Sequence, residues 1–354
     1  MRAHSAAMTW CLAVETVSNP AHISRMKRLV SLFLLAAGFA ACAPASDTRT
    51  ANDAVSDKVQ KARARNDGPA IWVAKDFDST LYLFGTLDLL PDDLDWQRDD
   101  MRDAFAEAGT IFFTVDTSAK SQIDATVLTT SLGLRSDGLR LSDHLDNSQR
   151  ILMEAAANNG NVTIAALDSM QPWLAAEYLT FVAAQNAGLS AERSVDEALK
   201  AQAVRSEKNT IYLESLETQI RASADLPDYI QLDILTETME QFNRLGADAV
   251  EIANQWSVGG TDYLTDKLIR PMKARPPEVF NSQLRNRNRA WSTKLSRFME
   301  DSGTGFAAVG TAHLLGDDSL LSELREQGYD VKRYYAFKGE NVIETIDTTI
   351  ERTR

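Results

Sequence analysis

Two nine-residue stretches, GTLDLLPDD at 85–93 and GTAHLLGDD at 310–318, agree at six positions although most of the chain separates them. Each sits in the same surroundings. Before the first, Ile71–Ala74 and Thr80–Phe84 are β-rich runs joined by KDFDS, a hairpin signal. After it, Met101, Ala104, Phe105 and Ala108 fall at helical spacing, Gly109 stops the helix, and TIFFTVD supplies a further strand. The second stretch follows the strand FAAV. Leu320, Leu321 and Leu324 then mark a short helix, Gly328 its stop, and VKRYYAF a strand. A strand-turn-helix-strand unit used twice favours right-handed crossovers and parallel strands. The competing reading is chance likeness of two turns, since strand-to-helix turns reuse Gly, Thr and Asp for local reasons.

Between the two units, 140–300 reads as helical. Pro172 opens a helix whose face carries Leu174, Tyr178, Leu179 and Val182, with Gly188 as its end. Leu232, Leu235, Met239, Phe242 and Leu245 form a second stripe, expected to close at Gly246. A third helix is expected through PEVFNSQLRNRNRAWSTKLSRFME. Such stripes are core rather than ligand boxes. The expected fold is α/β (α+β): a duplicated strand-turn-helix-strand core with a mostly parallel central sheet and a large helical insertion.

The N-terminal region has a different character. Met26-Lys27-Arg28 followed by LVSLFLLAAGFAAC has the basic start, apolar run and small residues of a secretory signal, with Met26 as the expected start. It ends at Ala40-Ala41-Cys42, the pattern in which a cysteine becomes a lipidated N-terminus; an ordinary cleaved signal with an incidental cysteine is the alternative. Ala43 carries no inner-membrane retention Asp, so the expected address is the periplasmic side of the outer membrane, through a lipid anchor. Residues 1–41 are thus signal, 42–68 the lipidated Cys and an unstructured tether, 69–340 the folded domain and 341–354 a tail.

Losing 1–41 removes Arg2, Arg25, Lys27 and Arg28 against Glu15, moving the formal charge from −13 to −16. So acidic a product repels nucleic acid. Cys42 would then be the sole cysteine, which excludes an internal disulfide.

At the carboxyl end of a parallel strand, a Gly-rich turn offers its next polar side chain to the crevice where α/β proteins keep their sites. Asp88 and His313 occupy that place in the two turns. If the strands are neighbours, a carboxylate and an imidazole converge, and such a pair holds a divalent metal such as Mn, Co or Zn. A hydrogen-bonded structural couple, or a structural His313, is the plainer alternative. His144, in LSDHLDNSQ, reads as a residue at a helix start. With His4 and His22 ahead of the expected start, no three-histidine zinc site can be built from one chain. HExxH, GxSxG, Walker and GxGxxG motifs are all missing.

The segments STLYLFGTLDLLP, LDSMQPWLAA, AGLSAERSVDEAL, LESLETQ, QWSVGGTDYL, RNRAW and FAAVGTAHLLGDDSLLSELREQGYDVKRY resemble, in order and spacing, the TraB/GumN (TraB/PrgY/GumN) family, which includes the Tiki-type metalloproteases. The resemblance implies a duplicated α/β core with helical insertions. It also implies two Gly-x-x-His motifs bringing two histidines to one metal, and an acidic residue on the strand after the first motif. The second motif is intact from Gly310 to His313. The first begins at Gly85 but ends at Asp88, and Thr114 stands where the family usually has Glu. Thr neither takes a proton at neutral pH nor ligates a metal as a carboxylate does. Asp116, two residues on, would share its strand face and partly substitute. Arg287 and Asn288 match the family's Arg-Asn pair, with Asn286 where a Glu often precedes it. Asp196 and Glu214 match as well, and read most simply as carboxylates at helix starts.

Two functions follow. In one, a metal-dependent hydrolase or peptidase uses Asp88 and His313 as ligands, Asp116 as base and Arg287 to stabilise negative charge. In the other, a catalytically degenerate member, tethered through Cys42, binds a peptide or another envelope ligand.

Overall fold

Alternation of side chains along the strands builds a sheet that is apolar on both faces, and each face must be covered. The computed structural model describes residues 68–337 and 340–344. The expected signal at 1–41, Cys42, the tether up to 67 and the part of the expected 341–354 tail after 344 lie outside those residues, while 341–344 belong to a strand. The strands are β1 (Ile71–Lys75), β2 (Ser79–Thr86), β3 (Leu90–Pro91), β4 (Thr110–Phe113), β5 (Leu189–Ser190), β6 (Asn209–Tyr212), β7 (Gly303–Gly310), β8 (Asp330–Phe337) and β9 (Glu340–Glu344). Seven form one sheet in the order β6-β4-β7-β2-β1-β8-β9, and β3 pairs with β5 apart from it.

β2, β7, β4 and β6 are mutually parallel neighbours. β1 runs antiparallel to both β2 and β8, so β8 points the same way as β2, while β9 opposes β8. Five strands therefore share one direction, as the repeated unit predicts, and β1–β2 is the expected hairpin. The units are β2, α1 (Asp99–Glu107), β4 and β7, α9 (Leu320–Glu326), β8. β7 lies between β2 and β4, so the two halves interleave.

The remaining long helices are α2 (Ala119–Gly133), α3 (Asn147–Gly160), α4 (Pro172–Asn186), α5 (Val195–Arg205), α6 (Leu216–Ala224), α7 (Asp228–Ser257) and α8 (Asn286–Met299), joined by loops and helical segments of three to five residues. Val73, Phe84, Phe113, Phe306 and Ala308 pack under the insertion helices α3, α4 and α7. Their alternates Leu81, Leu83, Phe112, Ala307 and Val309 pack against Trp291, Leu295 and Met299 of α8 and the leucines of α9. The result is three layers with the sheet in the middle.

Three expectations need correction. Helix α7 does not stop at Gly246 but runs on to Ser257. A Cβ at Gly246 would lie 2.6 Å from the Ala183 carbonyl oxygen and 2.8 Å from Ala187 Cβ, so this glycine permits the close approach of α4 and α7. The strand expected through TIFFTVD ends at Phe113, so Asp116 does not share a strand face with Thr114; its carboxylate instead takes hydrogen bonds from Ser118 and Ser121, which draw it to the start of the next helix. The third expected helix is interrupted by a π-type turn at Asn281–Arg285, directly before the Arg-Asn pair.

Candidate site at the paired turns

The two glycine turns leave neighbouring strands side by side. Thr86 pairs with Gly310, and Gly85 with Val309, so equivalent residues are offset by one position. In a pleated sheet a one-residue offset reverses the face a side chain addresses. The turns are tied together closely: Thr311 Oγ1 donates to the Thr86 carbonyl at 2.9 Å, and Trp256 Nε1 donates to the Gly85 carbonyl at 2.9 Å. A Cβ on Gly85 would fall 2.8 Å from Thr311 Oγ1, so the contact requires glycine there.

Asp88 enters a small chamber of about 20 Å³ whose walls include Thr114, Asp196, Glu197, Gln219 and Gly310. Asp196 lies in the first turn of α5, and Lys200, one turn further on, places Nζ 2.5 Å from its Oδ2. Lys200 also donates to Thr117 Oγ1 at 3.2 Å and Glu197 Oε1 at 3.4 Å, and lies 5.6 Å from the centre of the Phe113 ring. Burial pushes the Asp88 carboxyl up to about 7; the Asp196 charge adds to this and Lys200 opposes it. Burial also raises Asp196, against the pull of Lys200. The neighbouring carboxylates outweigh burial at Lys200 and keep it protonated.

His313 has other neighbours. It is fully buried, its Nδ1 lies 2.7 Å from Asn288 Oδ1, and its ring sits 4.2 Å from the Trp291 ring. Its Nε2 is buried with no hydrogen-bond partner among the described residues. Burial, and then the Arg287 charge, hold its pKa well below the ordinary range, so the imidazole is neutral. Arg287 makes a bidentate pair with Glu214, at 3.0 Å through Nε and 2.6 Å through Nη2, while Trp291 Nε1 donates to the same carboxylate. Both members of this pair are nearly inaccessible.

The strands of Asp88 and His313 are thus adjacent, but no hydrogen bond joins the two side chains. Asp88 faces helix α5 and Gln219 of α6; His313 faces α8. Asp116 accepts from Ser118 N at 2.8 Å, Ser118 Oγ at 2.8 Å and Ser121 Oγ at 2.5 Å, anchoring the start of α2. Burial opposes its ionisation, yet these hydrogen bonds win and hold its pKa below the usual value. Among the described residues, no group of three or more His, Cys, Asp or Glu side chains is placed to hold a metal ion.

Sequence reasoning did not single out Lys200 or Gln219. The i, i+4 spacing of Asp196 and Lys200 was a signal for the first. Nothing local marks the second, which reaches the chamber only through the packing of α6.

The TraB/PrgY/gumN family profile matches residues 70–333. The chain belongs to this family. Two curated relatives, both described as uncharacterized protein YbaP, from Escherichia coli K12 and Shigella flexneri, are 29% identical to it over 184 residues. Each match covers 52% of this chain and 65% of the relative, so slightly under two thirds of either relative's length is spanned. No solved structure matches. Within the TraB/PrgY/gumN domain, the first glycine turn with Asp88 and the second with His313 are the adjacent β2 and β7 turns.

Proposed function

We propose that this chain is an exported TraB/PrgY/gumN domain, lipid-anchored through Cys42 on the periplasmic side of the outer membrane, that binds a peptide or another envelope ligand and does not hydrolyse it. One observation carries this reading: at the turn where the family uses His, Asp88 shares a chamber with Asp196, whose Oδ2 is already bonded to Lys200. With Glu197 Oε1 bonded to Lys200 as well, too few carboxylate oxygens stay free to complete the coordination shell of a divalent ion. Arg287, close enough to depress His313, opposes one at the other turn. The donor set of Asp88 with His313 is therefore a poor fit to a divalent ion, and Thr114 adds no carboxylate to it. The acidity of the chain argues against nucleic acid as the ligand.

A second reading is favoured by a different observation. The Nε2 of His313 is neutral, buried and without a partner, the state a metal ligand needs. On that reading Asp88 and His313 hold Mn, Co or Zn in a hydrolase, with Asp116 as base and Arg287 as anion stabiliser. Arg287 would first have to leave Glu214, and Asp116 its serine hydroxyls.

Elemental analysis of protein purified without chelators, with a peptide-hydrolysis assay in added Mn, Co or Zn, separates the two. The binding reading expects no stoichiometric metal and no chelator-sensitive turnover. One equivalent of metal with turnover abolished in His313→Ala would replace it with the hydrolase.

A further inference from the structure

The chamber beside Asp88 is short of donors. Asp196 Oδ1 and Gln219 Oε1 are buried with no hydrogen-bond partner among the described residues, and Gln219 is only 4% exposed. Burial, and after it the charges of Asp196, Lys200 and Glu197, act on the Asp88 carboxyl, with no hydrogen bond from the described residues among the influences on it. An ammonium has three N–H donors, and those of Lys200 already serve Asp196 Oδ2, Glu197 Oε1 and Thr117 Oγ1. A group from outside the fold, water or a ligand, supplies the donors these acceptors need. About 20 Å³ admits one water-sized group. Asp88, Asp196 and Glu197 against Lys200 favour a donor that also carries positive charge.

A second, larger cavity of about 590 Å³ adjoins the chamber and shares Ser194 and Glu197 with its walls. Asp92, Asp93, Asp95 and Glu192 line it, with Arg193 as its single cationic residue. Leu94 and Trp96, both almost wholly buried, form the apolar part of the same wall. An acidic vestibule beside a chamber of acceptors suits a long, flexible cation that ends in N–H donors.

We propose that the chamber receives a primary ammonium group of a peptide, on a lysine side chain or at the amino terminus, with Asp88, Asp196 Oδ1 and Gln219 Oε1 as its acceptors and the acidic cavity holding the adjoining chain. This rests on the binding reading above and names its ligand class.

The test is calorimetry of the purified full chain with short alanine-rich peptides, in EDTA, so that metal dependence, which decides the binding reading, is measured separately. An N-acetylated peptide with one lysine offers only the ε-amine. A peptide with an open amino terminus and norleucine in place of lysine offers only the α-amine. Trimethylating the amine of the peptide that binds keeps its charge but removes its N–H donors. Binding of at least one amine, with affinity about tenfold to hundredfold lower after trimethylation, is expected. Gln219→Leu should lower affinity for the same peptide over the same range, with an unchanged melting temperature as the check on folding. Failure of both amines to bind, or equal affinity of the trimethylated peptide, overturns the proposal without use of any variant.

Discussion

Thr311 Oγ1 donates to the carbonyl of Thr86 across the gap between the two glycine turns, at 2.9 Å and buried from solvent. This bond and the contact of Gly85 with Thr311 hold the two halves of the duplicated core at their one-residue offset. Thr311→Val, close in shape, leaves the Thr86 carbonyl buried without its partner and should cost about 1–3 kcal/mol in chemical denaturation. Gly85→Ala drives a methyl to within 2.8 Å of Thr311 Oγ1 and 3.2 Å of Thr311 Cα, and should cost about as much through overpacking.

Gly246 gives a prediction of opposite sign to helix propensity. In the middle of a solvated helix, Gly→Ala stabilises by about 1 kcal/mol. Here the methyl would lie 2.6 Å from the Ala183 carbonyl oxygen, which is backbone and gives way only if α4 moves. Gly246→Ala should therefore lower the melting temperature, by an amount equivalent to about 1–3 kcal/mol.

The same residue shows where sequence reasoning reaches its limit. A glycine after an apolar stripe is a stop signal unless a second helix presses on it, and α4 is over fifty residues away in the chain. The paired turns were legible because Gly, Thr and Asp recur with their flanking strand and helix patterns, and β2 and β7 prove adjacent and parallel. Their offset was not legible, because strand register lies in pairing and not in either segment alone. Asp196 and Glu214 read as carboxylates at helix starts; Asp196 lies in the first turn of α5, whereas Glu214 stands ahead of Ser215, the N-cap of α6. Their buried partners differ in legibility: Lys200 is one turn away in the same helix, while Arg287 comes from α8.

Arg287 and Glu214 form a pair whose members are 4% and 5% exposed, with Trp291 completing the carboxylate's bonds. Removing one partner strands a buried charge. Arg287→Met should cost about 3–5 kcal/mol, and Arg287→Met with Glu214→Leu should recover a large part of that loss in a double-mutant cycle.

Glu177 on α4 is buried, and burial pushes its carboxyl up to about 8, against a hydrogen bond with Ser223 that lowers it. The folded state holds this proton more tightly than the unfolded chain, whose ordinary value is 4.5. The stability contributed is complete below 4.5 and is lost as pH rises through about 8. Glu177→Gln should remove that alkaline limb, a difference on the order of a few kcal/mol between pH 5 and pH 8 in urea unfolding. His313 acts on the other side: its folded pKa is depressed, so its contribution is present above 6.5 and is lost as pH falls below that value.

Under the proposed binding function, Asp88 and Thr114, with Lys200 beside them, make the first turn unfit for the metal that the family resemblance implies. The most direct test is titration of the parent and of Asp88→His with Thr114→Glu by Mn, Co and Zn, followed by calorimetry. No saturable site is expected in the parent, and a new one-to-one site is expected in the double variant. Equal, stoichiometric affinity in both proteins would contradict it.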